Sequence, residues 1–344
     1  MGNMMKHRLF WPLTFLGALL LFNLLYSPDF FSIKMRDGHL YGSLIDILNF
    51  GSPLIIVAIG MTLVIAGSKG VDLSVGSVVA ISGAISCLSI STGGGQIVDV
   101  LAAVGISLLV AVVLGLWNGF LVASVGIQPI IATLILMVSG RGVAQLITNG
   151  QIITVSNDHY KFIGAGSLAT LPFSIFIVAA VFAIAYLLTR KTALGLFIES
   201  VGCKPTASQL AGVKSKTVIL FVYMFCSLCA AIAGLILSSN VSSADGNNAG
   251  LWVELDAILA VVIGGTSLNG GRFYLAGTLI GALIIQTLTT TIYMIGVPPE
   301  ITLVVKAFVV LIVCLIQSEA FRKSIAFRWK TRHYPAEREV KQHA

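Results

Sequence analysis

The chain has 344 residues, 57% of them hydrophobic and only 10% charged, with a mean hydropathy of +0.97 and a net charge of +7. Soluble domains carry about a quarter charged residues, so a soluble fold is excluded, and no polar stretch is long enough to hold a second, water-soluble core. The composition is that of one all-α polytopic membrane domain.

A helix that crosses the hydrocarbon needs roughly 20 mostly apolar residues. Ten segments read this way, at about 10–26, 52–66, 73–91, 98–124, 128–148, 172–189, 217–238, 254–268, 273–296 and 302–318. The first, FWPLTFLGALLLFNLLY, is too long and lacks the small-residue cleavage site of a signal peptide. Lys and Arg accumulate in short cytoplasmic loops. Here the start (Lys6, Arg8), the internal loop 190–216 and the tail beyond 318 carry two, five and seven basic residues, together fourteen of 21. Ten spans put all three on one side. The organisation expected is a cytoplasmic N-terminus (1–9), a permeating domain (10–318) with a cytoplasmic loop at 190–216, and a basic cytoplasmic tail (319–344). Both termini then lie on the cytoplasmic side. This topology accounts for the net charge without any nucleic-acid partner.

The second span is short: about 15 residues, or roughly 22 Å, before the polar interruption AGSKGVDLSVGS at 66–77. Charge at membrane depth is costly, and irregular backbone is tolerated there only beside protein or a watery cavity. The Gly67-to-Gly70 turn therefore reads as a helix break, with Asp72 the N-cap of a helix starting at Leu73 and Lys69 pairing with Asp72 or reaching the inner interface. Asp72 is then a structural cap, or a cap that also lines a substrate path. Asn118 and Gln128 bracket an inner-side turn, and Arg141 needs a buried partner or an outer-interface position. Residues 247–282 repeat the pattern more weakly. Glu254 and Asp256 open a short apolar run that ends in the turn Gly264-Gly265-Thr266-Ser267-Leu268-Asn269-Gly270-Gly271. Acids at a helix start suit its dipole, so Glu254 is a satisfied helix end or a gate.

The loop 189–216, TRKTALGLFIESVGCKPTASQLAGVKSK, is the largest internal one. Its centre predicts a short helix beginning at Pro205 or Thr206 and ending at Gly212, either a docking surface or an ordinary basic connector. Cys226 and Cys229 have CxxC spacing mid-helix without nearby histidine and read as small packing residues. The sequence has no GxxxxGK[ST] phosphate loop, no HExxH and no nucleophile-base pair within a span. An enzyme is disfavoured, and a transporter or channel remains.

GMTLVIAGSKGVDLSVGS, IQPIIATLILMVSGRGVAQLIT, TRKTALGLFIESVG and WVELDAILAVVIGGTSLNGGRF together resemble the permease subunits of bacterial ABC sugar importers of the ribose/galactose type, over about residues 50–320. Within that family the extended matches are most similar to the galactofuranose-importer permeases. The resemblance implies a vitamin-B12-importer-like fold with about ten helices, some short or broken. It implies a periplasmic sugar-binding protein, a separate ATPase subunit that uses the ATP, no cofactor on this chain, and a second homologous permease, as a heterodimer or else a homodimer. Carried over by position, Asp72, Ser74 and Gly76 match the first motif and Glu254, Asp256, Gly264, Gly265 and Thr266 the second, as candidates for the translocation path. ATPase docking is implied around Gly202, Pro205, Ala207, Ala211, Gly212 and Val213. The loop before the first motif is one residue shorter in the family and carries no Lys69, a departure that leaves the turn geometry here unassigned. Outside the family, an ion-coupled transporter with broken helices or a passive channel fits the same composition.

Overall fold

In the computed structural model, residues 9–36, 39–93 and 96–317 are described. Lys6, Arg8 and the tail 319–344 lie outside them, as does the last residue of the predicted final span.

The helices are α1 (Phe10–Tyr26), α2 (Ser43–Ser68), α3 (Val75–Thr92), α4 (Ile97–Phe120, prolonged by a π turn at Leu121–Val125), α5 (Pro129–Ile147), α6 (Asp158–Ala165), α7 (Phe173–Arg190), α8 (Leu194–Cys203), α9 (Pro205–Leu210), α10 (Ser215–Val241), α11 (Val253–Ile263), α12 (Leu275–Met294) and α13 (Pro299–Gln317). Each of the ten predicted spans coincides with one of them. Seven helices among the described residues are long and apolar enough to cross a membrane. By contrast α11, with 11 residues, covers only about 16 Å, roughly half the hydrocarbon thickness. Six short strands pair antiparallel: β1 (Lys34–Arg36) with β2 (His39–Tyr41), β3 (Ile152–Thr154) with β6 (Ser243–Asp245), and β4 (Ser167–Leu168) with β5 (Leu171–Pro172). They sit in or at the edge of the segments 27–51, 149–171 and 239–253, which ten spans with both termini inside put on the outer side.

One boundary differs substantially from expectation. α2 has 26 residues, about 39 Å, so the second span is complete and not half a helix. Asp46 and Asn49 lower the hydropathy of its first turns without breaking them, because both lie where the helix leaves the apolar core. Asn49 Oδ1 accepts the Ser174 hydroxyl of α7 at 2.5 Å. The weak internal repeat fails with it, since α2 and α11 differ more than twofold in length.

The chain divides into a unit running to Thr291 and a second from Ile292 that holds the end of α12 and α13. In the first, α2 is the central helix, with 94% of its apolar window buried against 22% for α4. α10 packs along α2, α3 and α4. Burial against lipid-like side chains gives little drive inside a bilayer, so small residues that let backbones approach decide which helices pair. Gly115 and Gly119, one turn apart on α4, face Met224 and Leu220 of α10 so closely that a Cβ would lie 2.7 and 2.9 Å from their Cα atoms. Gly60 of α2 faces Cys226 and Cys229 in the same way, and both thiols are free and buried.

The outward-predicted helix α6 is fastened to α10 by a hydroxyl knot. Ser238 Oγ donates to Gly234 O (2.7 Å), so the 2.5 Å contact with Tyr160 has the phenol as donor. Ser239 Oγ donates to Tyr160 O at 2.6 Å and accepts from Gly164 N–H at 2.8 Å. Tyr160→Phe removes one buried bond from three and is expected to cost about 1 kcal/mol. Faster hydrogen exchange confined to α6 amides is the check; unchanged exchange would show that the knot does not hold the helix.

Candidate functional site

The interruption at 66–77 is built from contacts to five other helices, α4, α5, α8, α10 and α11. α2 closes on Lys69, whose φ of 57° is left-handed and whose N–H bonds Ile65 O at 3.2 Å. Gly70 admits the Pro129 ring of α5, where a Cβ would lie 2.2 Å from that residue's own Cβ. Thr133 Oγ1 bonds Val71 O at 3.3 Å.

Asp72 is fully buried. Its N–H points at Met61 Sδ (3.4 Å), and its Oδ1 accepts from Ser74 N–H (2.9 Å) and Ser74 Oγ (2.6 Å). Asn118 Nδ2 of α4 in turn donates to Ser74 Oγ at 2.8 Å. The start of α3, one of the two alternatives for Lys69 and the place of Asn118 differ from expectation. The helix starts at Val75 and not at Leu73, with Ser74 in the cap position, because the Asp72 carboxylate folds onto the Ser74 amide as a local turn. Lys69 does not pair with Asp72; its ammonium donates to Cys203 O at 2.8 Å. Asn118 is no turn residue either. α4 continues to Val125, seven residues or about 10 Å further, which sets the Asp72–Ser74–Asn118 chain inside the span. Among the described residues Asp72 Oδ2 and Asn118 Oδ1 meet no donor.

The second motif is reached by a re-entrant segment. After α10 and β6 the chain turns back through 246–252 without helix. Partial burial works against the charge of Asp245 at its head. Hydrogen bonds from Asn248 Nδ2 (2.8 Å) and the Asn247 and Asn248 amides, with the attraction of Arg141, outweigh it and hold the carboxyl below its usual range. Arg141 Nη1 donates to Ala249 O at 2.5 Å. The segment ends at Gly250 and Trp252, both left-handed, and α11 begins.

Glu254, 2% exposed, lies on Gly76: a Cβ there would be 2.3 Å from Glu254 Oε2 and 2.6 Å from Gly250 O. Among the described residues Glu254 Oε2 has no hydrogen-bond partner. Asp256 follows on the first turn of α11. Asp72, Ser74, Gly76, Glu254 and Asp256 thus gather around the start of α3 and the start of α11. Gly264, Gly265 and Thr266 do not join them; they form the turn at the far end of α11, about 15 Å along the axis. There Gly264 touches Gly277 backbone to backbone, and Thr266 Oγ1 accepts the Tyr274 amide at 3.2 Å.

The docking candidates also divide. α9 starts at Pro205, whose missing N–H is harmless at that position, and Gly212 follows at φ 85°. Pro205, Ala207, Ala211 and Gly212 are exposed, Val213 is half-buried, and Leu210 beside them is 92% exposed. Gly202 is buried, facing Ala66 O and Gly271 N. Asn118, Ala249 and Gly250 are the contributors that the sequence reading missed. Ala249 and Gly250 carry no charge to mark them, and the buried amide of Asn118 was the one available signal.

Residues 43–314 match the family model described as the permease component of the branched-chain amino acid transport system. The chain belongs to this permease family. It is 50% identical over 321 residues to the galactofuranose transporter permease protein YtfT of Escherichia coli (strain K12), covering 92% of this chain and 93% of that one. It is 38% identical to the fructose import permease protein FruF of Bifidobacterium longum (strain NCC 2705), over 92% and 89% of the two chains. With the ribose import permease protein RbsC of Haemophilus influenzae it shares 37%, over 84% and 86%. No solved structure matches. The permease is an all-helical integral membrane protein and a transport subunit.

Proposed function

We propose that this permease carries a monosaccharide across the bacterial inner membrane as part of an ABC importer, with galactofuranose or a closely related sugar as the cargo. The supporting observation is the meeting of Gly76 with Glu254 at the bottom of a re-entrant segment. Non-helical backbone and a buried acid at that depth belong beside a path, and the relatives above are sugar permeases. Asp72, Ser74, Gly76, Glu254 and Asp256 border the path, while Gly264, Gly265 and Thr266 form its inner hinge. Both termini and the loop 190–216 face the cytoplasm, where a separate ATPase docks on Pro205, Ala207, Ala211, Gly212 and Val213 around Leu210. The chain holds no cofactor, since ATP is used by that partner. A periplasmic binding protein delivers the sugar, and a second, homologous permease completes the path as a heterodimer.

Mild solubilisation from the native host and mass spectrometry of what co-purifies tests this assembly. A phosphate-loop ATPase and a second permease are expected. A lone chain that transports sugar in liposomes without ATP would overturn the proposal. Within the assembly, Leu210→Asp places a charge on the most exposed apolar residue of the docking helix and should cut ATPase recovery at least about tenfold, the effect of losing an apolar anchor at an interface. Full recovery would move the docking surface elsewhere.

A further inference from the structure

Three chain segments cross at one point beneath the Asp72 turn. Gly271 N–H donates to Ala66 O, the end of α2, at 2.9 Å. Gly202, in the last turn of α8, lies over that same bond: a Cβ there would come within 1.7 Å of Ala66 O and 2.7 Å of Gly271 N. Gly270 and Gly271 are both left-handed, and Cβ atoms on them would lie 2.7 Å from Lys69 Cγ and 2.8 Å from Cys203 Sγ. Backbone is in contact with backbone, and one long, exposed side chain runs along the crossing.

That side chain is Lys69. Its ammonium ends on Cys203 O at 2.8 Å, one of the last carbonyls of α8, which the helix itself leaves unpaired and where the helix dipole favours a cation. Two residues beyond Cys203, α9 begins. Three residues beyond Lys69 in the other direction stands Asp72.

We propose that Lys69 is a positioning residue for transport: a strap that fixes the end of α8 and the start of α9 to the turn before Asp72. Movement of the docking segment is thereby passed to the Asp72–Gly76 segment rather than absorbed in the loop. The proposal rests on the docking of an ATPase at 190–216.

The left-handed backbone of Lys69 provides a clean variant. Glycine adopts this conformation without strain, so Lys69→Gly keeps the helix end and removes only the strap. Lys69→Met carries the same backbone strain as the native residue and removes only the ammonium. The full complex, purified with the ATPase that accompanies the wild-type chain, is reconstituted in liposomes, and sugar uptake and ATP hydrolysis are measured together.

Both variants should retain the ATPase in wild-type ratio and hydrolyse ATP at close to the wild-type rate. Uptake per ATP should fall about fivefold or more, the lower end of measured couplings between sites, and Lys69→Arg should restore most of it. Unchanged uptake per ATP in Lys69→Gly and Lys69→Met would overturn the strap. So would a loss traced to missing ATPase or to unfolded protein, which is what a merely structural cap predicts. A wild-type chain that retains no ATPase at all would overturn the docking reading, and the strap with it, before any variant is compared.

Discussion

Gly76→Val should abolish sugar uptake while the protein still inserts in the membrane. Even the first carbon of the new side chain would sit 2.3 Å from Glu254 Oε2 and 2.6 Å from Gly250 O. The second of these is backbone and cannot swing aside, so the start of α11 and the re-entrant segment must retreat from α3. Overpacking of this kind costs about 1–3 kcal/mol, and here it falls where the two motifs touch. Gly76→Ala should retain part of the activity. Adding Glu254→Ala to it should restore only a fraction, because the Gly250 carbonyl remains in the way. Vesicle uptake beside a monodispersity profile checks this. Wild-type uptake by Gly76→Val would mean that the contact between the motifs is not needed for transport.

Asp72→Ala should be the second severe loss, and Asp72→Asn much milder. Alanine leaves Ser74 N–H without its acceptor and breaks the chain from Asp72 through Ser74 to Asn118, all three buried. An unsatisfied buried donor costs about 1–3 kcal/mol. Asparagine keeps an oxygen for both Ser74 donors, so a clear gap in thermal stability between the two variants is expected in detergent. Transport resolves the rest. If Asp72→Asn is as stable as the wild type but slow, the carboxylate serves the path as well as the turn. Wild-type level and uptake in Asp72→Ala would remove both roles.

Hydropathy located all seven of the long apolar helices among the described residues, because twenty apolar residues in a row admit few alternatives, yet it misjudged the length of α2. Asp46 and Asn49 read as loop, and only the structure shows the latter held by Ser174 of α7. The glycines of the two motifs were visible as turn signals; which partner each admits was not. Gly70 against Pro129, Gly76 against Glu254 and Gly202 against Ala66 are contacts between residues far apart in the chain. Such distances are set by packing and leave no periodicity to read. Lys69 stood out by its charge, but its partner is a backbone carbonyl, and every residue type offers one. The Asp72 cap was misplaced by two residues because a carboxylate followed by serine can serve a helix end or a tight local turn equally well, and a sequence alone does not choose between them.

The α11–α12 pair has a mechanical consequence. Gly264 meets Gly277, and Gly281 meets the Ala260 carbonyl, with main chain on main chain: added Cβ atoms on Gly277 and Gly281 would lie 2.0 and 2.1 Å from the opposing oxygens. At these two crossings backbone meets backbone with no side chain between, so the helices are expected to move together. The pair has the stiffness of a single lever. The segments without helix lie at its two ends, 246–252 on one side and, on the other, the turn at Gly265, where φ is 86° and an added Cβ would meet nothing within 4 Å. A displacement applied at the far end of this pair is therefore expected to be felt at Glu254, in the first turn of α11.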